Sequence, residues 1–213
     1  MGSFFNYDGP LMRFLSRIGD FLILNILFLL CCIPIITAGT SMTALYSVTL
    51  KMAKGEDAYI AKGFFKAFKE NFKQSTAAWL IMLILGIILY IDYRISSVFS
   101  DTVGNIFRVF LTMIAVFYLN TLLYLFPYIA RFKNTIKNTF KNALLISILN
   151  FPWTIAIMAI FIGAVILTFL NATTLSYGIL LWLTFGFSLI AYVYSIIFRK
   201  IFAKYEIQEE SEN

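Results

Sequence analysis

The chain has 213 residues, of which 61% are hydrophobic and 13% are charged, and its formal net charge is +6. Soluble domains are about 45–50% apolar and about 25% charged, so a soluble fold of this length could not bury the excess. The composition therefore predicts an integral membrane protein. The positive charge is better explained by anionic lipid headgroups than by nucleic acid.

The first two apolar stretches differ in character. A helix that crosses a bilayer needs about 20 mostly apolar residues. The first stretch runs from near Ile18 to Ile33 and is interrupted by Pro34, whereas the next, Ile35 to Leu50, is short and rich in Thr and Ser. Small residues let helices approach closely, and hydroxyls can bond neighbouring carbonyls. This second stretch is therefore predicted to be either a short crossing or a re-entrant segment packed within protein.

Four further apolar stretches complete the chain. They are Ala77 to Ile91, Val109 to Ala130, Ala143 to Leu170 and Tyr177 to Phe198, and the third is long enough to tilt or kink at Pro152. The pattern predicts an all-α fold: a polytopic transmembrane helix bundle that forms a single domain over residues 1–213. Six crossings are expected. The alternative is five crossings, with residues 35–50 re-entrant or interfacial.

The basic residues distinguish the two sides of this bundle. With six crossings, only Arg94 and Arg108 lie on one side, and the other fifteen of the 17 lysines and arginines lie opposite. Short positive loops stay in the cytoplasm, so both termini are predicted to be cytoplasmic. Five crossings would move Arg13 and Arg17 outside, so the charges favour six crossings by two residues.

Two segments combine phenylalanine and lysine at helical spacing. Residues 59–75 predict an amphipathic helix in the headgroup plane, with aromatic rings toward the bilayer and ammonium groups toward phosphate. A similar string returns at residues 131–143. This surface is interpreted as a topological anchor, with partner docking and regulated lipid sensing as alternatives. The lysines expected to contact anionic lipid or a partner protein are Lys62, Lys66, Lys69, Lys73, Lys133, Lys137 and Lys141.

The two strings also suggest a weak internal repeat. An apolar helix follows each of them, so residues 59–92 and 127–160 could be duplicated units of the kind that transporters often contain. Convergent chemistry at a cationic membrane surface explains the similarity equally well.

Few residues in the apolar stretches carry reactive chemistry. The chain has no His and no metal-ligand, phosphate-binding or nucleophile motif. We therefore predict no catalytic, cofactor-binding or metal-binding residue, and we expect that the protein is not an enzyme. Polar groups inside membranes mark functional sites by default, although they also commonly bond helix to helix. The candidate functional polar cluster is Asp20, Asn25, Thr37, Thr40, Ser41 and Thr43.

Several residues of the amino-terminal third form a distinctive pattern. They are Asn6, Tyr7, Asp8, Pro10, Asp20, Asn25, Pro34, Thr37, Gly39, Ser41, Ala44, Leu45, Tyr46 and the Phe-Lys string that ends at Lys73. This pattern resembles the YesL family of small bacterial integral membrane proteins over roughly residues 4–75. Thr40 stands where such families often have Pro, which leaves the turn there less rigid. The resemblance implies a bacterial plasma-membrane protein associated with carbohydrate uptake and degradation, and it carries over no catalytic residue.

Three functions are compatible with these features. The first is a non-enzymatic accessory component of carbohydrate uptake or utilisation, whose basic surface contacts anionic lipid or a carbohydrate-transport partner protein. The second is a small-solute transporter or channel with a site near residues 34–46. The third is a membrane enzyme acting on lipid-linked sugar, for which Asp8, Asp20 and Asp92 are the acids to test.

Overall fold

The structure is a computed structural model that describes residues 10–56, 59–96, 98 and 102–211. Every regular element in these ranges is helical, which confirms the predicted all-α fold. A 3₁₀ turn, Ile35–Thr37, precedes the second helix, and a π-helical turn, Trp182–Gly186, joins the last two. The helices are α1 Pro10–Cys32, α2 Ala38–Lys54, α3 Ile60–Ser96, α4 Thr102–Arg131, α5 Ile136–Leu149, α6 Phe151–Phe169, α7 Ala172–Leu181 and α8 Phe187–Ser211.

Within the described residues, five segments are long and apolar enough to cross a membrane. They are Leu15–Cys32, Ile60–Ser96, Thr102–Arg131, Phe151–Phe169 and Ala172–Tyr205. These segments confirm a multi-pass arrangement. The helix α2 is not among them, since it has 17 residues, five of them Thr or Ser. The predicted number of six crossings therefore stays a prediction.

The helix α2 packs against α1, α3, α4 and α8. Its buried residues include the apolar Ala44, Leu45 and Val48 as well as most of its hydroxyl residues. Gly39 marks the closest approach between helices. A Cβ atom there would collide with Cβ of Trp79 and lie 2.9 Å from the carbonyl oxygen of Ser75. The absence of a side chain at this position therefore lets α2 and α3 come together.

Paired contacts show that α2 and α4 both run parallel to α8. On each of these helices, a residue four positions later in the chain contacts a residue of α8 that is also four positions later. The contacts are Thr49–Ser195 and Ala53–Arg199 for α2, and Tyr124–Phe198 and Tyr128–Phe202 for α4.

The first helix runs in the opposite direction. The ring of Phe21 packs on Tyr192 with 5.2 Å between centroids, and the ring of Phe28 packs on Phe187 at 5.3 Å. Moving forward along α1 therefore means moving backward along α8. As a result, the beginning of α1 and the end of α8 lie at the same end of the bundle.

Residues 59–75 do not form a separate surface helix. Ile60 begins α3, which continues without a break through the apolar stretch to Ser96. Phe64 is fully buried in a cluster with residues of α1 and α2, whereas Phe65 and Phe72 are 45% and 40% exposed. A helix lying in the headgroup plane would have to turn through a right angle before crossing. The in-plane placement is therefore not confirmed, and part of the aromatic face packs on protein instead of lipid.

The predicted crossing Ala143 to Leu170 is interrupted near its start. The helix α5 ends at Leu149, and α6 begins at Phe151. Asn150 lies between them with φ −112° and ψ 39°, and its side-chain amide donates to the Ile146 carbonyl and the Tyr205 hydroxyl. Pro152 occupies the first turn of α6, where a missing N–H costs no helical bond. The chain thus breaks just before the predicted kink.

The internal repeat stays a prediction. Residues 60–92 of the first unit lie in one continuous helix, whereas residues 127–160 span the end of α4, all of α5 and the start of α6. The break at Asn150 has no counterpart within α3.

We expect Gly39→Ala to destabilise the fold by about 1–3 kcal/mol, the usual cost of overpacking a close contact. Gly163→Ala on α6 is the matched control, because nothing lies within 4 Å of its added Cβ atom. Thermal unfolding in detergent would measure both. Equal stability of the two variants would contradict the close α2–α3 contact.

Candidate functional site

Asn25 joins α1 to the junction of α7 and α8. Its side chain is fully buried. The amide nitrogen donates to the carbonyl oxygens of Trp182 and Leu183 at 3.1 and 2.9 Å, and the amide oxygen accepts from the backbone N–H of Ser188 at 3.1 Å. The side-chain amide thus supplies both a donor and an acceptor to backbone groups at the junction of α7 and α8.

The π-helical turn explains why Asn25 finds open backbone groups there. A π turn is one residue wider than an α turn, which disturbs the regular ladder. Ser188 adds a second link, since its hydroxyl donates to the carbonyl oxygen of Phe21 at 2.8 Å. At Gly186, an added Cβ atom would lie 2.7 Å from the Trp182 ring. The contacts of Gly186 and Ser188 therefore fix both the shape of this turn and the position of α1 against it.

The hydroxyls of α2 bond two different helices. Ser41 donates to the Phe28 carbonyl of α1 at 2.9 Å. Thr40 and Thr43 face α3, where their hydroxyl oxygens lie 2.9 Å from those of Thr76 and Ser75. Thr40, Ser41 and Thr43 are all fully buried. These three residues therefore hold α2 between α1 and α3.

Thr37 stabilises the turn that precedes α2. Its hydroxyl lies within hydrogen-bonding distance of the carbonyl oxygens of Cys31 and Pro34, at 2.7 and 2.9 Å. The indole N–H of Trp79 donates to the Ile35 carbonyl at 2.7 Å and fixes the same turn to α3. Thr37 thus acts on backbone groups close to it in the chain.

The structure does not bring the six candidate residues to one point. Asn25 faces α8, Ser41 faces α1, Thr40 and Thr43 face α3, and Thr37 faces its own turn. Asp20 is half-buried on α1, closer to the amino end of that helix than Asn25. Within the part of the chain that the structure describes, no buried side-chain nitrogen or oxygen lacks a hydrogen-bond partner. The arrangement can hold helices in register, and it presents no convergent set of unpaired polar groups to a solute.

Sequence reasoning missed other buried hydroxyl pairs of the same kind, among them one that joins α2 to α8. The hydroxyl oxygens of Thr49 and Ser195 lie 2.8 Å apart and both residues are fully buried. Thr49 continues the run of hydroxyl residues in α2, so the pattern could have been extended to it. Ser195 lies 146 positions away within an apolar stretch, and no local signal distinguishes it.

The acids of the enzyme hypothesis are not brought together. Asp8 lies outside the described residues. On α3, Asp92 lies 13 residues after Trp79, whose indole bonds the turn that follows α1. Asp20 lies on the other side of that turn, 12 residues before the end of α1. Asp20 and Asp92 are therefore not placed to act together on one substrate.

The seven predicted lysines form one exposed surface, which we call the basic face: Lys62, Lys66, Lys69, Lys73, Lys133, Lys137 and Lys141. Gln74 connects its two parts. Its side-chain amide donates to the carbonyl oxygen of Asn134 at 2.9 Å and to the hydroxyl of Thr139 at 3.1 Å. The lysines before α6 are thereby placed beside those of α3.

Comparison with known proteins finds two sequence similarities. A family model described as "Protein of unknown function, DUF624" matches residues 21–93. The chain is 25% identical to the uncharacterized protein YesL of Bacillus subtilis (strain 168) over 191 residues, which cover 89% of this chain and 87% of that protein. The resemblance to a YesL-like family is confirmed. No solved structure gives a significant match.

The segment matched by the family model covers parts of the first three helices. Residues 21–93 contain about half of α1, all of α2 and nearly all of α3. They therefore include Asn25, the buried hydroxyls of α2 and the first four lysines of the basic face. The partners that Asn25 finds at the π turn lie outside this segment.

We expect Asn25→Leu to destabilise the protein by about 1–3 kcal/mol, because the buried backbone groups at Leu183 and Ser188 lose their partner. Thr184→Val is the control, since the Thr184 hydroxyl lies on the same turn and bonds only the nearby carbonyls of Leu180 and Leu181. Thermal unfolding of both variants in detergent checks this expectation, and a stable Asn25→Leu protein would refute the role of the amide.

Proposed function

We propose that this YesL-like protein is a non-enzymatic accessory component of the bacterial plasma membrane, and that the basic face is its working surface. One observation carries the proposal. The polar groups buried in α1 and α2 use their hydrogen bonds to hold helices together, whereas the lysines of the basic face are all exposed. The association with carbohydrate uptake or utilisation is taken from the family resemblance.

Chain direction supports cytoplasmic termini. The start of α1 and the end of α8 lie at one end of the bundle, because α1 and α8 are antiparallel. The beginning of α3 and residues 133–141 carry the lysines of the basic face near this end, and segments rich in lysine and arginine that flank crossings stay in the cytoplasm. Both termini and the basic face are therefore assigned to the cytoplasmic side.

The same directions support α2 as a sixth crossing. It reverses the direction of α1 and runs parallel to α4 and α8, as an outside-to-inside crossing would. Its 17 residues span about 25 Å, but they pack along residues 63–76 of α3, level with lysines of the basic face, so the direction of α2 supports a crossing and its depth does not. Its hydroxyl content is tolerated because neighbouring helices, rather than lipid, surround it.

Single-cysteine labelling would test this topology. In a variant with Cys31 and Cys32 replaced by alanine, we expect a membrane-impermeant maleimide to reach Ser16→Cys and Lys69→Cys only from the cytoplasmic side. Asn105→Cys should be labelled only from outside. Labelling of Ser16→Cys from outside would contradict six crossings and support the five-crossing alternative.

A flux measurement separates the accessory role from transport near residues 34–46. The hydroxyls of that segment are bonded to protein, so we expect the purified protein in proteoliposomes to give no sugar uptake above protein-free vesicles. Sugar flux that is lost in Thr37→Val and Ser41→Ala, while both variants remain folded, would instead establish a transporter.

A partner measurement tests the accessory role itself. The protein should co-purify from native membranes with a carbohydrate-transport protein, and replacing Lys69 and Lys73 by glutamine should reduce this recovery. Unchanged recovery in that variant would mean that the basic face is not the contact surface. A protein that co-purifies with no transport component would contradict the association with carbohydrate uptake.

A further inference from the structure

One helix of the basic face has a mixed surface. Four lysines of α3 follow one another at intervals of four, three and four residues, which places them along one side of the helix. Phe65 and Phe72 lie among them and are 45% and 40% exposed. We call this surface the α3 stripe: Lys62, Phe65, Lys66, Lys69, Phe72 and Lys73.

The positive charge of the α3 stripe is largely uncompensated within the chain. In the described ranges, its one ion pair joins Lys66 to Glu70 at 3.9 Å, and both side chains are well exposed. Such an exposed pair contributes little. The link from Gln74 to Asn134 brings further lysines alongside. Like charges at these spacings repel, so an acidic partner would relieve the repulsion.

The geometry of α3 is poorly suited to a lipid-bound surface helix. From Lys73 to Lys62 the helix leads away from the apolar stretch that begins at Ala77, over about 16 Å. This distance exceeds the physiological Debye length of about 8 Å, so headgroup charge is screened at the far end. Of the rings that would face lipid in such a helix, Phe64 is already fully buried in the bundle, and only Phe65 and Phe72 are exposed.

We propose that the α3 stripe docks an acidic amphipathic helix of a cytoplasmic protein. Carboxylates spaced by one helical turn would face the four lysines, and apolar side chains beside them would pack on Phe65 and Phe72. Helices commonly bind helical surfaces in this way, with apolar anchors for affinity and charge for orientation and rate. The inference rests on the proposed function, which assigns this end of the bundle to the cytoplasm.

Binding of a defined peptide tests the inference. The full-length protein is placed in nanodiscs of zwitterionic phosphatidylcholine, which supply no anionic headgroups. The probe is a fluorescent synthetic helical peptide with glutamates along one side and leucines beside them, and a scrambled peptide of equal composition is its control. We expect anisotropy to report binding of the helical peptide alone, and higher ionic strength to weaken it.

Matched double variants locate the contact. Lys69→Gln with Lys73→Gln should weaken peptide binding about fivefold or more, given contributions of up to about 1 kcal/mol per exposed pair. Lys200→Gln with Lys204→Gln removes two charges from α8. This control should change the affinity for the peptide less than about twofold, since these lysines lie off the α3 stripe. Phe65→Ala with Phe72→Ala should also weaken binding, while both rings are exposed enough for the fold to survive their loss.

Two outcomes would overturn the inference. One is peptide binding that is absent, or that the stripe variants leave unchanged. The other is that the peptide fails to bind while vesicles containing phosphatidylglycerol bind in a manner that depends on Lys69 and Lys73, which would make lipid the ligand. Cysteine labelling of Lys69→Cys from outside would instead refute the cytoplasmic assignment, and peptide binding in nanodiscs does not depend on that assignment.

Discussion

The hydroxyl side chains of α2 constrain the whole bundle. In hydrocarbon they would lack partners, and an unsatisfied polar group there costs several kcal/mol. The chain meets this requirement by surrounding α2 with α1, α3, α4 and α8. Gly39 lets α3 come close, and pairs such as Thr43–Ser75 and Thr49–Ser195 form once it has done so. Each such bond is worth about 0.6 kcal/mol on average, so several of them together with close packing fix one arrangement.

Much of this fold could be predicted from the sequence, for physical reasons. Long apolar runs must be helical in a membrane, because no water is present to satisfy the backbone. Pro34 correctly marked the end of the first helix. The continuity of α3 could not be predicted, because the charged residues 62–73 resemble both a surface helix and the extension of a crossing. Phe64 and Phe65 are adjacent phenylalanines, and only the packing of α1 and α2 distinguishes the buried ring from the exposed one.

The candidate site shows a similar limit. Asn25 was selected because an amide at such a position needs partners, and that reasoning holds. The partners themselves lie about 160 positions away at a π-helical turn. The sequence around Trp182 contains no pattern that predicts a π-helical turn. Polar residues within an apolar stretch therefore indicate that a bond exists, while the fold decides whether that bond serves a solute or another helix.

These results divide the protein into an interior that holds helices together and a surface that carries charge. The interior depends on α2 being central and meeting α8 in one register, and disulfide cross-linking tests this register most directly. In a variant with Cys31 and Cys32 replaced by alanine, cysteines at positions 49 and 195 should form a disulfide readily, because the hydroxyl oxygens they replace lie 2.8 Å apart. A pair at positions 49 and 188, two helical turns away, should not. Cross-linking of the second pair but not the first would contradict this placement of α2 against α8.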